Sequence, residues 1–229
     1  MSPIAANLQV VKRRISEALQ GDRRAPTLVA VSKTQPAAII REAFAAGCRE
    51  FGENYVQDAV PKIAELHDLP LTWHYIGALQ GNKAKDVAMH FDWVHAIDRA
   101  KIAQALSRHR GADREPLQVC IQVNISGEAT KGGVRADEAV VLAKEVSALP
   151  GLKLRGLMGM ASATGDVAQQ RREFAQLRGA LEQLRAAGFD VDTLSMGMTQ
   201  DFEAAIAEGS TMVRIGTAIF GERTRKAAA

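Results

Sequence analysis

The sequence predicts an α/β chain folded as a single (β/α)8 TIM-type barrel with an extra N-terminal helix. Three observations carry this. Eight short apolar runs alternate with amphipathic stretches along the chain. Several of those runs are continuously apolar, as parallel strands buried on both faces require. The length of 229 residues matches one complete barrel.

In order, Ile4, Leu8, Val11, Ile15 and Leu19 recur at helical spacing and stop at Gly21, predicting an amphipathic helix within residues 1–21. Residues 28–34 give the first strand. Pro36 opens a helix that Gly47 closes, residues 49–53 form the second strand, and a helix follows through Leu66. Strand 73–77, a helix near 83–90, strand 93–97 and helix 99–109 come next, then the longest apolar strand, 117–125. Residues 135–149 are helical, 152–160 extended, 166–187 a long helix, 193–196 extended and 202–208 helical. Residues 212–220 are the last strand. Residues 222–229 form a polar tail, so residues 1–229 are expected to be one domain. The rival is an open doubly wound sheet. Such sheets carry a glycine-rich phosphate turn after the first strand, and Ser32-Lys33-Thr34-Gln35-Pro36 has no glycine.

Composition excludes several classes of function. Hydrophobic residues make up 47% and charged residues 24% of the chain, and no apolar run approaches the roughly 20 residues a membrane helix needs. No membrane partner is expected. Residues 1–10 lack the charged start, apolar stretch and cleavage site of a signal peptide, which predicts a cytoplasmic location. Cys48 and Cys120 are too few for a disulfide framework and are read as packing residues. The formal charge is +3, and the densest basic runs, Lys12-Arg13-Arg14 and Arg23-Arg24, have no interleaved aromatics. No nucleic-acid partner is expected. The five histidines form no His-Glu-x-x-His pattern and no Cys/His cluster, so no metal site is expected.

In a barrel of this kind functional residues collect at the carboxyl ends of the strands. The first strand ends in Val29-Ala30-Val31-Ser32-Lys33-Thr34, which puts a lysine just past an apolar run. Partial removal from water disfavours its ammonium form, so the neutral amine that attacks an aldehyde becomes accessible. The alternative is a rim lysine paired with a carboxylate such as Glu53. Lys62, Lys101 and Lys144 lie in predicted helices and are read as solvated. The seventh and eighth strands end in Ser195-Met196-Gly197 and Arg214-Ile215-Gly216-Thr217, each joining glycine to a hydroxyl. Glycines let a phosphate approach backbone N–H groups, and the phosphate site of such barrels commonly follows these two strands. Tight turning alone also accounts for Gly197 and Gly216. Arg214, flanked by Val213 and Ile215, needs an acceptor. Two are considered, a barrel-internal carboxylate (Glu53 or Asp98) or a bound pyridine ring, whose nitrogen an arginine would keep unprotonated. Asn54, Tyr55, His74, Tyr75 and Asn124 are further candidates for the mouth.

Several stretches give the chain a family likeness: Ala30-Val31-Ser32-Lys33-Thr34, Phe51-Gly52-Glu53-Asn54-Tyr55-Val56-Gln57, Trp73-His74-Tyr75-Ile76-Gly77, Gln80-Gly81-Asn82-Lys83, and Met212-Val213-Arg214-Ile215-Gly216-Thr217. Through them the chain resembles the pyridoxal phosphate homeostasis proteins over essentially its whole length. Ala78, Gly81 and Thr199 depart from that family's usual residues. The resemblance implies a barrel like the N-terminal domain of alanine racemase, with pyridoxal 5'-phosphate held on Lys33 as an aldimine. It implies Ser195, Gly197, Gly216 and Thr217 around the phosphate, Arg214 at the pyridine nitrogen, and Asn54 and His74 near the ring.

The expected function is therefore a non-catalytic carrier that buffers and delivers pyridoxal phosphate, with cofactor-dependent apo-enzymes as partners and a monomeric state. The competing expectation is an amino-acid racemase or decarboxylase. Racemisation needs a second acid/base group opposite Lys33. Tyr55, His74 and Lys131 are the candidates, and none sits in a compelling pattern.

Overall fold

A computed structural model describes residues 2–19, 24–111, 113–128 and 130–222. Eight parallel strands close into a barrel in sequence order: β1 (Thr27–Val31), β2 (Glu50–Glu53), β3 (Thr72–Tyr75), β4 (Trp93–Ile97), β5 (Leu117–Val123), β6 (Leu152–Gly159), β7 (Thr193–Ser195) and β8 (Met212–Ile215). Closure comes from β8 pairing with β1, with Thr27 opposite Met212 and Ala30 opposite Ile215. Closing the sheet leaves no exposed strand edge. Around it lie α2 (Ala37–Ala45), α3 (Val56–Glu65), α4 (Ala84–His90), α5 (Ala100–His109), α6 (Ala139–Ser147), α7 (Val167–Ala186) and α8 (Phe202–Ala207). The extra helix α1 (Pro3–Ala18) starts at Ser2, whose hydroxyl accepts from Ala5 N–H. Its apolar stripe, Ile4, Leu8, Val11 and Ile15, is buried, and the helix packs mainly against α8 and the last helix, α9 (Thr217–Phe220). Gly21 and residues 223–229 lie outside the described residues.

Two boundaries differ from expectation. The final apolar run is not one strand over residues 212–220. β8 stops at Ile215, Gly216 turns the chain, and Thr217–Phe220 coil into α9, with Asn7 Nδ2 donating to the Ile219 carbonyl at 2.9 Å. The longest strand is β6 with 8 residues; β5 has 7. β5 ends at Val123 because Asn124 turns the chain into a loop, donating from Nδ2 to the carbonyls of Glu128 and Lys131.

Side-chain alternation along each strand divides the core. Trp73, Tyr75, Val94, Ile97, Val213 and Ile215 face the helices and join the large apolar layer. Facing inward are His74, His95, Cys120, Met158, Ser195 and Arg214, all buried. The barrel interior is thus partly polar, and its polar groups are aligned with the mouth above. Among the described residues, no helix is long and apolar enough to cross a membrane.

Candidate functional site

The carboxyl ends of the strands open into a cleft of about 440 Å3. Its wall combines Val31 and Lys33 after β1, Asn54 after β2, Ile76 after β3 and the 160–164 segment after β6. Met198, Thr199, Gln200 and Asp201 after β7, and Arg214, Gly216 and Thr217 at β8, complete it, with Lys131 reaching in from the loop after β5. Five of the sequence-predicted residues therefore meet here: Lys33, Asn54, Arg214, Gly216 and Thr217.

Lys33 sits in a tight turn closed by the Gln35 N–H donating to the Ser32 carbonyl at 2.9 Å. Thr34 completes the turn at φ 70°, a left-handed conformation in which a β-branched residue is strained by roughly 1–2 kcal/mol. Lys33 is half-buried at the cleft wall. Next to it on the rim, Asn54 Oδ1 is buried without a hydrogen-bond partner, so the cleft offers an acceptor still to be satisfied. Gly216 lies where a Cβ would come within 3.2 Å of the Val31 carbonyl oxygen. A side chain at this position would crowd β1, so glycine lets the end of β8 lie close against the strand that precedes Lys33. The two long loops are fixed in advance: Ser162 donates from its N–H and Oγ to the Glu173 carboxylate (2.6 and 2.8 Å), and Met198 N–H donates to Asp201 Oδ1.

The other three predicted residues are not on the wall. Gly197, at φ 96°, packs on α8 and accepts the Arg214 N–H at its carbonyl, just before Met198 enters the wall. Ser195 and His74 lie beneath the cleft in the barrel interior. Arg214 donates from Nη1 to Ser195 Oγ (2.7 Å) and from Nη2 to the Gly159 carbonyl (3.0 Å). Ser195 Oγ is 2.8 Å from His95 Nδ1, His95 Nε2 is 2.9 Å from His74 Nδ1, and His74 Nε2 is 2.7 Å from Glu50 Oε2. Arg214 is thus paired with neither carboxylate considered for it. Asp98 is held by Arg99, and Glu53 by Lys62. Burial pulls the Arg214 guanidinium down to about 10, opposed by the nearby Asp201 charge.

Lys62 corrects the sequence reading. It was expected on a solvated helix face, but α3 turns Val56, Ala59 and Lys62 inward together. Lys62 Nζ donates to Glu53 Oε1 at 2.6 Å and to the Ser32 carbonyl at 3.2 Å, while Ser32 Oγ donates to the same carboxylate oxygen at 2.6 Å. Burial raises the Glu53 carboxyl above its usual range, and Lys62 and Ser32 pull it back. This buried trio ties the residue before Lys33 to the residue before Asn54. His95, Glu50 and Lys62 all escaped the sequence reading. A signal existed for His95, because a polar residue between Val94 and Ala96 in a buried strand needs a partner.

Burial, with the nearby His74 and Arg214, holds the His95 imidazole well below 6.5. The folded state keeps His95 neutral, whereas the unfolded chain protonates it below about pH 6.5, so stability is complete above that pH and falls as pH drops. Each further pH unit should remove about 1.4 kcal/mol until the folded-state value is reached. Denaturant unfolding at pH 7 and pH 5 should show this loss, and His95→Asn should flatten it. Among the described residues no group of His, Cys, Asp and Glu could hold a metal ion.

Comparison with known proteins agrees with this architecture. The family model for the N-terminal domain of alanine racemase matches residues 1–224. The pyridoxal phosphate homeostasis protein of Pseudomonas aeruginosa is 55% identical over 226 residues, covering 97% of each chain. That of Escherichia coli K12 is 50% identical, covering 97% of this chain and 98% of its own. Among solved structures, PipY of Synechococcus elongatus with PLP bound superposes at a TM-score of 0.83. It is 39% identical and is covered completely by 95% of this chain. Alanine racemase from Corynebacterium glutamicum, at 18% identity and a TM-score of 0.73 over 60% of its length, shares the fold.

Proposed function

This chain belongs to the pyridoxal phosphate homeostasis proteins, and on that premise we propose that it holds pyridoxal 5'-phosphate in the cleft and buffers and delivers it without strong catalysis. The observation that carries this is the convergence of Lys33, Asn54, Arg214, Gly216 and Thr217 on one cleft at the barrel mouth. The residues present suit the cofactor. Lys33 supplies an amine, Asn54 Oδ1 an unmet acceptor, Arg214 a donor-only group for a ring nitrogen, and Gly216 with Thr217 a backbone turn and a hydroxyl at the cleft wall for phosphate.

Lys33 would anchor the cofactor as a Schiff base, the cofactor supplying the aldehyde and Lys33 Nζ the amine. Arg214, donor-only at the cleft wall, would keep a ring nitrogen facing it unprotonated, which suits holding better than stabilising a carbanion. The candidates for a second acid/base group are committed elsewhere. His74 bonds to Glu50 and His95, and Lys131 holds Glu128 and the Ala161 carbonyl. Tyr55 is 51% exposed and outside the cleft wall. The cofactor-dependent apo-enzymes that receive the cofactor are the proposed partners.

Cofactor-loaded protein reduced with borohydride and digested should carry a phosphopyridoxyl group on Lys33, and should leave free amino acids unconverted. An unmodified Lys33 at saturation overturns the anchoring, and steady amino-acid turnover overturns the carrier role.

A further inference from the structure

The hydrogen bonds beneath the cleft run in one direction. Arg214 can only donate, so Ser195 Oγ accepts from Nη1; at the far end the Glu50 carboxylate can only accept, and with both imidazoles neutral this makes Ser195 Oγ the donor to His95 Nδ1. His95, accepting at Nδ1 and neutral, carries its proton on Nε2 and gives it to His74 Nδ1. His74 in turn carries its proton on Nε2 and donates to the Glu50 carboxylate. The line crosses β8, β7, β4, β3 and β2, from the cleft to the first residue of β2, where the Glu50 side chain is 30% exposed. Trp93 stacks on His74 with ring centroids 5.6 Å apart and fixes its plane.

We propose that Glu50, His74 and His95 act through Ser195 as positioning residues, locking the orientation of Arg214 toward whatever faces it in the cleft. Each bond ends on a group whose own proton is given further along, and a carboxylate terminates the line, so every acceptor is strengthened by the next. Without an acceptor at position 50, His74 is no longer held to the Nε2–H form. If its proton moves to Nδ1, it faces the Nε2–H of His95 donor to donor, and the register that fixes Ser195 and Arg214 is lost. Glu50 stands at the opposite end of β2 from Asn54 and outside the cleft wall, yet its removal should be felt by the ligand.

The role rests on the cofactor reading given above, and the test separates the two. In cofactor-free protein labelled with 15N-histidine, the imidazole shifts of His74 and His95, assigned with His74→Asn and His95→Asn, should show single protons on Nε2. A proton on Nδ1 of either overturns the line, whether or not any cofactor binds. In pyridoxal phosphate-loaded protein, Glu50→Ala should shift the visible absorption maximum and raise Kd about fivefold. Glu50→Gln keeps an oxygen for His74 Nε2–H and should stay within about twofold of wild type. A folded Glu50→Ala protein with unchanged spectrum and Kd overturns the positioning role. Failure of wild type to take up the cofactor overturns the cofactor reading, and the tautomers still decide the line.

Discussion

Lys33→Ala and Lys33→Arg should both abolish the borohydride-fixed adduct and the visible absorbance of cofactor-incubated protein, with the fold unchanged. The side chain is half-buried at the cleft wall rather than part of the packed core, so truncation removes little apolar contact. The arginine variant separates charge from chemistry. It keeps a cation for the phosphate, but a guanidinium does not deprotonate in proteins and supplies no neutral amine to attack an aldehyde. What remains is non-covalent binding by the rest of the cleft. The expected loss of affinity is roughly 100-fold, or about 2.7 kcal/mol, smaller in Lys33→Arg than in Lys33→Ala. Equilibrium dialysis measures the affinity, and peptide mapping after reduction locates any label. Adduct on Lys131, the other lysine of the cleft, in wild-type protein would move the anchor across the mouth.

The barrel was legible because buried parallel strands read as short apolar runs, and all eight of those runs became strands. The end of β8 was misread for the same reason: residues 217–220 are as apolar as a strand, but Gly216 turns the chain and they form a short helix that packs on α1. Lys33, Asn54, Arg214, Gly216 and Thr217 could be found because they stand at strand ends, a place the fold class itself marks. Ser195, at the end of β7, and His74, within β3, point into the barrel beneath the cleft, and alternation decides this to within a single residue. Which inward groups then meet depends on the stagger of strands far apart in sequence. Ser195 and His95 are 100 residues apart and bond across the interior. The 160–164 loop and residues 200–201 were not singled out in the sequence, since their contribution to the wall comes from Glu173 and Asp201 holding the loop backbones.

Lys62→Met should lower the unfolding free energy by about 3–5 kcal/mol, a far larger effect than a solvated helix lysine would give. The Lys62 side chain is 11% exposed and its partner Glu53 is 0% exposed, so removing the ammonium leaves a carboxylate in the interior. Ser32 Oγ still donates to Oε1, but Oε2 has no partner even in the intact protein. The carboxyl has one escape, which is to take up a proton, and this gives the loss a signature in pH. A carboxyl whose folded-state pKa is raised binds more protons folded than unfolded, so it stabilises as pH falls and destabilises as pH rises. The deficit of Lys62→Met relative to wild type should therefore shrink as pH is lowered, and the acid effect of His95, common to both proteins, cancels in the difference. Glu53→Gln added to Lys62→Met removes the charge while leaving an acceptor for Ser32. The double variant should recover most of the loss, because an absent ion pair is far less costly than a broken one. A loss below about 1 kcal/mol for the single variant would mean that water reaches the pair. Because the trio joins Ser32 to Glu53, the residues before Lys33 and Asn54, the single variant should also raise Kd for pyridoxal phosphate, and the double variant should restore it.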